Sequence, residues 1–171
     1  TFEDYLRMLN ICTHIMGRRE NYVQYGEAIS RQVEAARKRA DGSRPSVLYI
    51  RATGTSCKVK NSNGSVLGEM LRAMDCENIA DSEESLLESL SMEAILMADP
   101  DFIFVVEQSA DADAAKAMLD KSLFSNPAWQ TLTAVREGRY YVMDSALYNL
   151  KPNARWGEAY EKLAQILYGT H

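Results

Sequence analysis

Histidine and cysteine are scarce in this chain, which has two histidines and three cysteines among 171 residues. His14 lies in a predicted helix and His171 is the last residue, so neither is expected near a polar loop. Without a histidine near such a loop, no Ser-His-Asp or Cys-His set can be proposed. The cysteines form no CxxC pair, which does not support a zinc site. Cys57 and Cys76 could be bridged in an oxidising compartment, although separate thiols are the simpler interpretation. We predict no catalytic residues and no metal ligands.

Long apolar runs and an excess of positive charge are also absent. No apolar stretch approaches the roughly 20 residues that a membrane-spanning helix needs. The net charge of −5 argues against a surface that binds nucleic acid. The N-terminus lacks the charged and apolar regions of a signal peptide and enters a predicted amphipathic helix at once. We therefore expect a fragment of a longer protein, with another lobe and any export signal upstream.

The most informative segment, residues 91–106, is a short predicted helix that ends at a proline and passes directly into a strand. Ser91 is a suitable N-cap, and Glu93 lies in the first turn, where the helix dipole favours a negative charge. Pro100 cannot continue the helix. Residues 102–106 are apolar without alternation, which is typical of a strand covered by helices on both faces. The segment therefore predicts an α/β fold.

Strands alternate with helices over most of the chain, which favours a parallel sheet with right-handed crossovers. The predicted strands lie at 46–52, 78–80, 102–106 and 139–143. Two predicted helices, over 2–16 and 21–40, precede them. We predict a division into these helices, residues 1–45, and a three-layer α/β/α lobe with a mostly parallel sheet, residues 46–171.

The predicted ligand site follows from this fold, because ligands of open parallel sheets bind beyond the carboxyl ends of the strands. This rule selects three predicted polar loops, at 52–64, 107–111 and 144–152. Their hydroxyl, amide and ammonium groups suit an anionic or oxygen-rich ligand. The first loop fits neither GxxxxGK[ST] nor GxGxxG, so no nucleotide site is predicted. The candidate ligand-binding residues are Thr55, Ser56, Cys57, Lys58, Lys60, Ser109, Tyr148, Asn149 and Lys151.

Three segments of the sequence resemble one known family. They are Ser-x-Glu-x-Ile-Leu with Asp-Pro-Asp-Phe-Ile-Phe-Val at 91–105, Asn-Pro-Ala-Trp at 126–129, and the terminal helix at 153–168. Together they resemble the C-terminal lobe of ABC-importer substrate-binding proteins, and more narrowly the group for ferric siderophores, haem and cobalamin. The resemblance implies an extracytoplasmic binding protein, periplasmic or lipid-anchored, with no enzymatic activity and no intrinsic cofactor. Its cargo would be an iron complex, haem or cobalamin.

The resemblance also implies partners. The helix over 21–40 would be the spine between two lobes, and the apolar face from Phe2 to Met16 would lie against the absent N-terminal lobe. In the family, a glutamate in this helix of each lobe meets arginines on the permease, and Glu93 occupies that position. Glu83 and Glu84 would add attraction to a basic surface. The simpler alternative is a carboxylate that only stabilises its own helix.

Two other function classes remain open at this point. Chelatase-like and nitrogenase-like proteins share the general architecture and act on metal complexes, and fold alone does not separate them from a binding protein. The absence of a histidine or cysteine cluster favours the binding protein. The third class is a solitary domain that docks a protein partner through its acidic face.

Overall fold

The computed structural model describes residues 1–108 and 112–169, and only the backbone of Ala112. Its α-helices are α1 (Phe2–Ile15), α2 (Arg19–Tyr22), α3 (Ala28–Arg37), α4 (Val66–Ala73), α5 (Ile79–Ser82), α6 (Ser85–Glu88), α7 (Met92–Ala98), α8 (Ala112–Leu119), α9 (Thr133–Arg136), α10 (Ser145–Tyr148) and α11 (Trp156–Tyr168). Its strands are β1 (Ser46–Ala52), β2 (Cys57–Val59), β3 (Glu77–Asn78), β4 (Phe102–Glu107) and β5 (Tyr140–Met143). Turns of π-helix occupy Val23–Glu27 and Asp120–Phe124. Turns of 3-10 helix occupy Pro127–Thr131 and Asn153–Arg155.

The chain forms two compact units. The helical unit consists of Thr1–Ser43 with Lys151–His171, and the sheet unit consists of Arg44–Leu150. The terminal helix α11 thus groups with the N-terminal helices. The functional division of the chain at residue 45 stays a prediction.

Aromatic side chains pack α1 against α11 in the helical unit. The ring centroid of Phe2 lies 5.6 Å from that of Trp156 and 6.5 Å from that of Tyr160. Arg39 follows α3 and donates from Nη1 to Glu161 Oε1 on α11 at 2.7 Å. The predicted spine is helical from α2 to α3, with a π-helical turn at Val23–Glu27 between them. These contacts tie both chain segments of the unit together.

Helix α1 has two apolar faces. The face from Phe2 to Met16, which the resemblance implied to lie against an absent lobe, is packed only in its first half. Phe2 is buried and Leu6 and Leu9 are half-buried, whereas Cys12 and Met16 are exposed. A second face is uncovered, and its three long apolar residues are Met8, Ile11 and Ile15, the last at 77% exposure. The periodicity of the sequence emphasised the first face, because aromatic residues dominate it. An exposed apolar face promotes association.

We expect the double substitution Ile11→Ser and Ile15→Ser to reduce self-association of the 171-residue chain without unfolding it. Both side chains are mostly exposed, so their loss removes little packing energy from the monomer. Sedimentation velocity over a concentration series measures the effect. Arg7→Ser, an exposed polar position on the same helix, is the control. A wild-type chain that stays monomeric at every concentration would show that the exposed face does not self-associate.

The sheet has the order β2-β1-β4-β5, and β1, β4 and β5 are parallel. The short strand β3 pairs with the first residues of β1 in parallel, and β2 pairs with its last residues in antiparallel orientation. The predicted α/β class with a mostly parallel sheet is confirmed. The prediction of an uninterrupted polar loop over 52–64 was wrong, because Cys57–Val59 forms β2. A three-residue strand is too short to show an alternating pattern.

The core of the sheet unit lies where one face of β1 and β4 meets the surrounding helices. Alternate residues of β1, Leu48 and Ile50, pack there with Ile103 and Val105 of β4. The other members of this core from helices and the segments between them are Ala80, Leu86, Ile95, Leu119, Leu123, Trp129, Leu132 and Ala134. Ile95 is completely buried, so α7 packs against the sheet through this side of the helix.

Helix α7 is held at both ends by side-chain hydrogen bonds. At its start, Ser91 Oγ accepts from the Ala94 N–H at 3.2 Å, as predicted for an N-cap. At its end, Asp99 adopts a left-handed conformation with φ 37°. The Asp99 carboxylate accepts from the Thr133 N–H at 2.8 Å and from Thr133 Oγ1 at 2.6 Å. These two bonds hold the pKa of Asp99 below its usual range. Both ends of α7 are therefore held in place by hydrogen bonds.

Replacing Asp99 by Ala should lower the free energy of unfolding by about 1–2 kcal/mol, because Thr133 loses its acceptor and alanine disfavours the left-handed region. Because the pKa of Asp99 is lowered in the folded state, the stabilisation by its ionised carboxylate is complete above the ordinary carboxyl pKa of about 3.9. It is lost as the pH falls through the lowered value. Urea denaturation at neutral and acidic pH measures this. Asp99→Asn, which tolerates the left-handed conformation, should lose less; equal stability of Asp99→Ala and wild type would contradict the anchoring role.

Candidate functional site

The carboxyl ends of the parallel strands lie along one edge of the sheet. Ala52, the last residue of β1, is paired in register with Glu107, the last residue of β4. The Gln108 N–H donates to the Ala52 carbonyl at 2.7 Å, so the segments that follow β1 and β4 start side by side. Glu107 is half-buried and Gln108 is exposed. In open parallel α/β sheets, ligands bind beyond this edge.

A closed turn follows β1 at this edge. Thr53 Oγ1 accepts from the Ser56 N–H at 3.0 Å and from the Thr55 N–H at 3.3 Å. The Thr53 N–H donates to the Ser56 carbonyl at 2.8 Å. Thr55 is exposed at the tip, and Ser56 is half-buried. The turn therefore presents the Thr55 hydroxyl on a locally fixed backbone.

Cys57 continues from this turn into β2, opposite Ala52. It is half-buried, and burial raises the pKa of its thiol, a shift that a hydrogen bond with Ser122 opposes. Tyr140 on β5 also has a raised pKa, first because of burial and then because of nearby Glu107. Both groups are therefore protonated at neutral pH in the absence of a ligand. All three cysteines of the chain are thiols.

The two predicted lysines differ in their distance from the edge. Lys58 is exposed and pairs in the ladder with Arg51, one residue before the end of β1. Lys60 follows the end of β2, and its N–H donates to the Tyr49 carbonyl at 2.9 Å. The backbone of Lys58 therefore lies closer to the predicted ligand edge than that of Lys60.

The predicted loop 144–152 contains helix α10. Asp144 caps it by accepting from the Ala146 N–H at 2.9 Å. Tyr148, predicted to offer its ring to a ligand, is 2% exposed, because the last residue of this short helix turns inward. Asn149 is half-buried, and Lys151 belongs to the helical unit. Ser109 lies outside the described residues. The ligand-binding role of the nine candidates stays a prediction.

A second surface of interest surrounds α7. Glu93 is exposed on the helix, and Glu83 and Glu84 are exposed on the segment before it. Residues 73–115 include twelve of the 24 acidic residues of the chain and no lysine or arginine. This segment therefore has a strongly negative charge, as expected of a surface that attracts a basic partner.

A groove of about 310 Å³ lies between α5 and α7 beside these acidic residues. It is lined by Ile79, Ser82, Glu83, Ala94, Met97 and Ala98. Met97 is 83% exposed. Sequence reasoning missed this residue because α7 is apolar on most sides, so its periodicity does not separate an exposed methionine from a buried one.

Within residues 1–108 and 112–169, no group of three or more histidine, cysteine, aspartate or glutamate side chains is arranged to hold a metal ion. No helix in the described part of the chain is both long enough and apolar enough to cross a membrane.

Solved structures similar to this chain include substrate-binding proteins of transporters. An ABC transporter substrate-binding protein from Listeria monocytogenes EGD-e aligns with a TM-score of 0.74 and 20% identity, over 96% of this chain and 64% of its own. IsdE of S. aureus, complexed with heme, aligns with 0.79 and 16%, over 98% and 65%. SirA of Staphylococcus aureus, complexed with staphyloferrin B, aligns with 0.66 and 19%, over 98% and 61%. The chain thus spans less than two thirds of each.

No curated protein matches the sequence significantly. The family model described as periplasmic binding protein matches residues 1–147, which is most of the chain. The family and these structures are binding proteins of transporters rather than enzymes, so the chelatase-like alternative finds no support. The chain belongs to the periplasmic binding protein family.

Proposed function

We propose that this chain is the C-terminal lobe, with its spine helix, of an extracytoplasmic substrate-binding protein that delivers a metal complex to an ABC permease. The family match over residues 1–147 is the observation on which the proposal depends. The cargo would be a ferric siderophore, haem or cobalamin. Relatives solved with heme and with staphyloferrin B support this range of cargos.

The chemistry of the sheet edge favours an oxygen-rich or anionic cargo. Thr55 and Lys58 are exposed at the end of β1 and offer a hydroxyl and an ammonium group. The exposed Gln108 adds an amide at the end of β4. A ferric siderophore or the propionates of haem would accept hydrogen bonds from these donors. Cys57 is half-buried beside the end of β1, so we assign it a place in the wall of the site.

The test is a visible absorption titration of the full-length protein with haemin, with cobalamin and with a ferric hydroxamate and a ferric carboxylate siderophore. One of these should give a saturable band shift or quenching of intrinsic fluorescence. Thermal stability should increase with the same ligand, because binding to the folded state stabilises it. A protein that binds none of the four, although folded, would refute the proposed cargo class.

A further inference from the structure

The groove between α5 and α7 has an apolar part, formed by Ile79, Ala94, Met97 and Ala98, and a polar side with Ser82 and Glu83. On α7, Ala94 and Ala98 contribute small side chains to the lining of the groove, and Met97 contributes a long exposed one. A long apolar side chain that is 83% exposed gains free energy when a partner covers it, and methionine adapts its shape to such a partner. The groove can therefore accept a side chain from another molecule.

Both walls of the groove are fixed. Helix α7 is held by its caps at Ser91 and Asp99, as described above. On α5, the buried Asn78 accepts from the Ala80 N–H at 3.1 Å and donates to the Lys60 carbonyl at 2.9 Å. Asp81 accepts from the Ser62 N–H at 2.8 Å. A groove with fixed walls binds without a large ordering cost.

The charge around the groove indicates the kind of partner. Glu83 lines the groove itself, and Glu93 precedes Met97 by four residues, which places the two side chains about 6 Å apart on one side of α7. The segment 73–115, which contains both helices, has no basic residue of its own, although Arg136 and Arg139 lie near Asp99 at the end of α7. An acidic rim around an apolar centre is complementary to a basic segment that carries an exposed aliphatic or aromatic side chain.

We propose that the permease inserts an apolar side chain into the groove between α5 and α7, over Met97, beside the basic residue that pairs with Glu93. This inference rests on the proposed function, since it names how the permease recognises this lobe. The inserted side chain excludes water from the neighbouring ion pair. The pair is stronger in that drier environment than on an open surface.

The test measures the affinity of the full-length protein for the permease of its importer, reconstituted in lipid nanodiscs, by biolayer interferometry. Met97→Ser removes the apolar contact, and Ser82→Trp fills the groove; neither changes an acidic residue. Each should weaken binding by roughly tenfold. Val142→Ser, an exposed apolar position on β5, is the matched control and should bind as wild type does. Cargo affinity should be unchanged in all three variants.

Salt separates this inference from the proposed role of Glu93. Ions screen the long-range part of the Glu93 contribution more than the short-range pair, so the deficit of Glu93→Ala should shrink in part at high salt while that of Met97→Ser persists. If Met97→Ser and Ser82→Trp bind as wild type does while Glu93→Ala is defective, the groove inference is wrong and the docking proposal stands. If wild-type protein does not bind the permease at all, both are wrong.

Discussion

Replacing Glu93 by Ala in the full-length protein should reduce cargo uptake through the permease by roughly tenfold or more, since a lost contact of about 1.4 kcal/mol corresponds to that factor. Glu93 is exposed on a helix whose buried side is formed by Ile95, so the substitution leaves the core intact. Its interaction with the helix dipole contributes only about 0.3–1 kcal/mol to stability. Transport of labelled cargo into proteoliposomes measures uptake, and calorimetry should show unchanged cargo affinity.

The matched control is Glu88→Ala, which removes the same charge from an exposed position on α6 in the same acidic segment. If long-range attraction alone mattered, the two variants would be equally impaired, and each would recover in proportion to salt screening. A specific contact predicts a much larger defect for Glu93. Normal uptake by Glu93→Ala would mean that this carboxylate only stabilises its own helix.

The 171-residue chain alone should bind cargo roughly a thousandfold more weakly than the full-length protein, or not measurably, because a loss of about 4 kcal/mol gives that factor. A protein of two lobes buries most of a small ligand between them, and one lobe supplies only part of the contacts. The solved relatives are longer than this chain, of which they match 96–98%.

Isothermal titration calorimetry of both forms with the same cargo gives the comparison. Circular dichroism of the chain verifies that its helices and sheet are formed, so that weak binding is not mistaken for unfolding. Equal affinity of the two forms would place the whole site on this lobe and contradict the two-lobe architecture.

The sequence correctly predicted those features of the fold that depend only on residues close together in the chain. Ser91 caps α7 as predicted, because a capping side chain bonds to backbone only two or three residues away. The strand β4 was predicted from its unbroken apolar run. The parallel orientation of the main strands was predicted from the alternation of helices and strands.

The features that the sequence did not predict depend on distant contacts. Strand β2 exists because β1 offers it a partner, and its three residues alone show no pattern. Tyr148 has the composition of a ligand-binding residue, yet it is buried by tertiary packing. Met97 is exposed for the converse reason, since no segment of the sheet unit covers that side of α7 enough to bury it. Composition and spacing do not contain this information.

The layout of the sheet also affects how the lobe behaves before it is fully assembled. The long strands β1 and β4, of seven and six residues, have neighbours on both sides, whereas the flanking strands β2, β3 and β5 have two to four residues. A short outer strand offers few unpaired amide groups to a second chain. The exposed Lys58 also places a charge on the outer strand β2. The lobe is thereby protected against edge-to-edge aggregation, the principal hazard for a β-containing protein at high concentration.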